Sequence, residues 1–74
     1  MKLNLLQRTR LFKGYRQFQM AELIGVSRKI YNLKENGKKD FTVEDICKIS
    51  HHLNLTIDEV NEIFFDNVIP KKES

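Results

Sequence analysis

The tightest constraint on this chain lies in the 21 residues from Gln17 to Gly37. The run Gln17-Phe18-Gln19-Met20-Ala21-Glu22-Leu23-Ile24 has the apolar spacing of a short helix, and a second helical stretch follows from Arg28 to Asn36. Ala21 is small where two helices have to cross closely. Gly25 stands at the bend, where either a side chain would clash or φ is positive. Ser27 is placed to cap the second helix, and Asn36-Gly37 supplies a left-handed stop.

A small residue, a glycine four later, a cap two after that and a glycine stop are what a helix-turn-helix requires. That motif sets its second helix in the DNA major groove. Charge points the same way. Residues 1–39 hold ten Lys/Arg against Glu22 and Glu35, a net of +8. Residues 40–74 hold three Lys against eight Asp/Glu, a net of −5. One end should attract a polyanion and the other repel it, which orients docking as well as favouring it.

The rest of the chain reads as three further helices and no strand. The first runs from about Leu3 to Lys13, with Leu5, Leu6 and Phe12 as its expected core face and Gly14 ending it. Met20, Ala21 and Ile24 face inward from the second, and Ile30 and Tyr31 give the third its apolar cover. Thr42 caps a fourth helix to about Leu53, with Ile46, Ile49 and Leu53 inward and Cys47 beside them in the core. Thr56-Ile57-Asp58-Glu59 is a capping box for a fifth, carrying Val60, Ile63 and Phe64. Seventy-four residues with 41% hydrophobic content make one small domain. We take it as residues 1–69, with the paired helices at about 17–36 and a charged tail at 70–74.

Other chemistries find little footing. His51 and His52 point about 100° apart on a helix and lack a second ligand pair at metal spacing, so no metal or other cofactor is expected. The glycines at 14, 25 and 37 are all helix punctuation, which leaves no phosphate-cradling loop. No nucleophile–base set appears, so a non-enzyme without a small-molecule ligand is expected. No apolar run nears the roughly 18 residues of a membrane span. The start of the chain lacks a signal-peptide pattern, and a lone Cys47 suits a reducing cytoplasm.

Taken in order, Arg10, Gln17, Ala21, Ile24-Gly25-Val26-Ser27, Glu35-Asn36-Gly37, Ile49, Leu53 and Leu55 to Val60 resemble the Cro/repressor-type helix-turn-helix regulators of temperate phages and related bacterial transcription factors. The likeness spans about residues 5–65. Asn32-Leu33-Lys34-Glu35-Asn36-Gly37-Lys38, Phe41-Thr42 and Ile63-Phe64-Phe65 are similar to small regulators of phages of Gram-positive bacteria. The resemblance implies an all-α, compact five-helix lambda-repressor-like domain. It implies a regulator at a lysis–lysogeny switch in the bacterial host cytoplasm, binding double-stranded DNA.

Residue by residue, it implies that Arg28, Lys29, Asn32 and Leu33 meet base edges. Arg or Lys suits guanine, and Asn suits adenine. Arg16, Gln17, Gln19, Ser27, Asn36, Lys38 and Lys39 would hold phosphates. Arg10 and Glu35 match a structural ion pair in the family.

Three positions depart from the family pattern. Leu33 stands where a polar base reader is usual, and either packs on a thymine methyl or faces a protein. Lys34 stands where an aliphatic or Trp is usual, so its stem is expected to cover the core while its ammonium snorkels out. Arg16 replaces a Ser or Thr cap. Phe65, Val68 and Ile69 either fold onto the first and fourth helices or form a homodimer or partner interface. Some relatives act by binding the phage repressor, so the alternative to DNA occlusion is a modulator that captures a repressor protein.

Overall fold

Hydroxyl caps decide where three of the helices begin. The computed structural model, which describes residues 1–66, contains α1 (Leu3–Phe12), α2 (Gln17–Ile24), α3 (Arg28–Glu35), α4 (Val43–His52) and α5 (Ile57–Phe64), with no strand among those residues. Ser27 Oγ accepts the Ile30 N–H at 3.2 Å and opens α3. Thr42 and Asp45 exchange reciprocal 3.0 Å hydrogen bonds at the start of α4, and Thr56 and Glu59 do the same for α5 at 2.9 and 3.1 Å. Each pair satisfies N–H groups the helix itself leaves without acceptors. The start of α2 is half-capped: an Arg side chain has no acceptor, and only Gln19 Oε1 closes back, on the Arg16 N–H at 2.8 Å.

Gly25 ends α2 at φ +75°, and a Cβ built there would meet nothing within 4 Å. The glycine is therefore required by its left-handed backbone and not by crowding.

The core gathers Leu6, Met20, Ala21, Ile24, Tyr31, Ile49, Leu53 and Ile63 from all five helices. It is closed by Phe41, which precedes α4 and touches Tyr31 and Phe64 edge-on at ring distances of 6.1 and 5.8 Å. Two expected core residues are not in the core. Phe12 is 89% exposed, because six residues beyond Leu6 it has rotated well off the inner line of α1. Arg10, four residues beyond Leu6, takes the inward place. Cys47 is exposed as well, since the inner line of α4 runs Ile46, Ile49, Leu53 and leaves position 47 turned outward. Leu5 is only half-buried. The Lys2 N–H donates to the Ile63 carbonyl at 2.6 Å, and the N-terminal ammonium pairs with Asp66, tying the start of the chain to the end of α5. Phe65 is half-buried against the core. Val68, Ile69 and the 70–74 tail lie outside the described residues.

Candidate nucleic-acid interface

The two faces of α3 do different work. Tyr31, Lys34 and Glu35 are buried, and Arg28, Lys29, Asn32 and Asn36 are exposed on the other side. What holds the inner face is a buried ion pair. Arg10 Nε donates to Glu35 Oε2 at 2.9 Å and Nη2 to Oε1 at 3.1 Å, while Nη1 reaches the Tyr15 carbonyl at 2.8 Å. The two side chains are 5% and 4% exposed. A two-point guanidinium–carboxylate contact fixes angle as well as distance, so α1 sets the pose of the last turn of α3.

From Glu35 a chain of amides runs outward. Gln17 Nε2 donates to Glu35 Oε1 at 3.3 Å, Asn32 Nδ2 donates to Gln17 Oε1 at 3.1 Å, and Asn36 Nδ2 donates to Asn32 Oδ1 at 3.0 Å. Gln17, Arg28, Lys29 and Asn32 line a shallow cleft between α2 and α3. Nothing in sequence spacing announced this amide chain, because its members come from two helices.

A second buried pair holds the same last turn of α3 from the α4 side. Lys34 Nζ donates to Asp45 Oδ2 at 2.5 Å and to the Asp40 carbonyl at 3.2 Å, and it sits 5.9 Å from the centre of the Phe41 ring. The expected snorkelling does not occur: both side chains are only 10% exposed, because Asp45 and a carbonyl offer the ammonium acceptors inside. Burial alone would raise the Asp45 pKa. Hydrogen bonds from Lys34 and Thr42 and the Lys34 charge outweigh it, and the carboxyl titrates below its ordinary range. A group depressed in the folded state stabilises folding above its unfolded pKa and loses that contribution as pH falls through the folded value. Thermal midpoints should therefore fall below about pH 4, the ordinary aspartate range, and fall less steeply in Asp45→Asn. Parallel curves for the two proteins would remove Asp45 from this account.

Tyr31 is fully buried, and its hydroxyl lies beside the Glu35 carboxylate without completing a hydrogen bond of ordinary geometry. Burial, and next the neighbouring Glu35 carboxylate, push its phenol well above the ordinary range, so it stays neutral. An unpartnered buried hydroxyl costs about 1–3 kcal/mol. Tyr31→Phe is expected to leave the thermal midpoint unchanged or higher, and a clear drop would reveal a bond the hydroxyl makes after all.

Arg10 and Lys34 are thus neutralised inside, and the outward field comes from the other bases. Arg16, Arg28, Lys29, Lys38 and Lys39 are all exposed, and among the described residues none of their side chains makes an ion pair. The polar side chains expected at phosphates are more committed: Gln17 is engaged at both ends of its amide, Gln19 Oε1 and Ser27 Oγ serve as caps, and Asn36 bonds to Asn32. The Gln17 and Phe18 N–H groups open α2 and find no acceptor within the helix. Leu33 is half-buried. Among the described residues no group of three His, Cys, Asp or Glu is placed to hold a metal, and no helix is long and apolar enough to cross a membrane.

Known proteins match the same span. Residues 6–60 match a family model described as Helix-turn-helix. Over 53 residues, 72% of the chain, the sequence is 34% identical to the SPbeta prophage-derived uncharacterized HTH-type transcriptional regulator YonR of Bacillus subtilis (strain 168). The match covers 49% of that protein, so the chain spans about half its length. No solved structure matches.

Proposed function

The chain belongs to the helix-turn-helix family of DNA-binding transcriptional regulators, and from that premise we propose that it works at a phage lysis–lysogeny switch in the bacterial cytoplasm. In this reading α3 enters the major groove of operator DNA, with Arg28, Lys29, Asn32 and Leu33 toward the bases. Arg16, Gln17, Gln19, Ser27, Asn36, Lys38 and Lys39 lie along the flanking phosphates. Bound protein then excludes polymerase or a rival repressor. The observation that carries this is the exposed pair Arg28 and Lys29, unpaired among the described residues, on a helix pinned from behind by two buried ion pairs. A prophage-derived relative supports the phage setting. As a homodimer the protein would bind half-sites about 10 bp apart, one helical turn.

A second reading has one observation in its favour. Leu33 is apolar, partly exposed and not taken into the core, which suits contact with a phage repressor protein. Mobility shifts on control-region DNA flanking its gene, across a salt series and with or without a neighbouring repressor, separate the two. The DNA reading expects a specific shift by the protein alone that weakens steeply with salt, because phosphate contacts release counterions. A shift seen only with the repressor, or an affinity indifferent to salt, would replace it with the modulator.

A further inference from the structure

Asn32 sits on the outward face of α3, yet both ends of its amide are already held. Nδ2 donates to Gln17 Oε1 at 3.1 Å, and Oδ1 accepts from Asn36 Nδ2 at 3.0 Å. Gln17 is held in turn by Glu35, and Glu35 by Arg10. Asparagine reads adenine by presenting both ends of the amide together, one to N6 and one to N7. For Asn32 any such turn works against two hydrogen bonds within the protein, which already fix the plane of the amide between Gln17 and Asn36. It also strips the Gln17 carbonyl of its Asn32 donor and leaves the Asn36 amide only its 2.9 Å bond to the Asn32 backbone carbonyl. The worth of a hydrogen bond is the difference between the alternatives, so adenine gains little over any other base at this position.

Arg28 and Lys29 line the same cleft and carry no such commitment. Both are exposed, and among the described residues neither side chain makes an ion pair or hydrogen bond. Their cations match the O6 and N7 acceptors that guanine presents in the major groove. Leu33 brings no polar atom to a base edge.

We propose that Asn32 is a positioning residue in this chain and that Arg28 and Lys29 carry the base reading, so that each half-site is anchored on guanine. Asn32 acts through Gln17: the amide bridge between α2 and α3 fixes the cleft from which Arg28 and Lys29 extend. The inference rests on the DNA-binding reading of α3.

The test is selection from a randomised duplex library with the full chain, followed by affinities for Asn32→Ala, Gln17→Ala, the double variant and Arg28→Ala. Thermal melts confirm that each is folded. Enriched sites should carry guanine at two positions of each half-site. Asn32→Ala should weaken all sequences by one common factor and leave the base preference intact. Gln17→Ala should do the same, and the double variant should lose less than the product of the two single losses, since both cut one bridge. Arg28→Ala should flatten the preference at one guanine, at a cost of about 5- to 150-fold on the preferred site. An adenine preference that Asn32→Ala alone flattens would overturn the proposal, as would an Asn32→Ala protein with unchanged affinity. If the chain enriches no sequence and shifts no DNA, the DNA reading of α3 fails first and takes this inference with it.

Discussion

Glu35→Ala is expected to lower the thermal midpoint of this domain by roughly 12–40 °C. Both Glu35 and Arg10 are buried, so removing the carboxylate strands a guanidinium inside the domain. Breaking one half of such a pair costs about 3–5 kcal/mol. A chain of 74 residues has about 4–11 kcal/mol in all. The variant should then be partly or wholly unfolded at 37 °C, and circular dichroism melts will read it directly.

The control is the double replacement Arg10→Met with Glu35→Leu. Neither charge is left behind, and apolar side chains fill much of the space. Exchanging a buried pair for packed hydrophobic groups is often neutral or favourable, so most of the lost midpoint should return. The Tyr15 carbonyl loses its Arg10 donor in that variant, and Gln17, half-buried, has water within reach. A Glu35→Ala midpoint within a few degrees of the parent would mean that the pair does not hold α1 against α3.

The second large effect is on binding and should leave stability almost untouched. Arg28→Ala with Lys29→Ala is expected to reduce affinity for the preferred DNA site by roughly 30- to 25,000-fold, taking about 1–3 kcal/mol for each base contact. Both residues are exposed, and neither side chain is paired among the described residues. Surface changes of that kind stay within about 0.5 kcal/mol of the parent, so the melt should move by only a few degrees. The salt dependence should persist with little change in slope, because Arg16, Lys38 and Lys39 still face the phosphates in this reading. A double variant that binds as the parent does would remove α3 as the reading helix.

Much of the fold could be read from the sequence because the signals were local. Ser27, Thr42 with Asp45, and Thr56 with Glu59 are caps whose partners sit three residues away, and the inner lines of α2 and α4 follow one period. Cys47 was missed on helical rotation alone, whereas the burial of Arg10 and Lys34 depends on partners distant in sequence. Phe12 was assigned inward as an aromatic on α1, whereas Arg10 holds the inward place because Glu35, 25 residues on, answers its charge. Lys34 was turned outward because its acceptor lies 11 residues later, in the capping box of another helix. The exposed, unpaired Arg28 and Lys29 of the proposed reading face were legible through residue type and motif position. The engagement of Asn32 and Gln17 was not, since it appears only once α2 and α3 are laid together.

The partition of α3 also bears on descent. Within it Tyr31, Lys34 and Glu35 hold the domain together, and a second group, Arg28 and Lys29, is turned away from it. Substitutions in the second group cost the core almost nothing. In the DNA-binding reading proposed above, a lineage carrying this domain can therefore change the sequence it recognises one residue at a time, without passing through an unfolded intermediate. The amide bridge at Asn32 is the one place where the two inheritances are tied together.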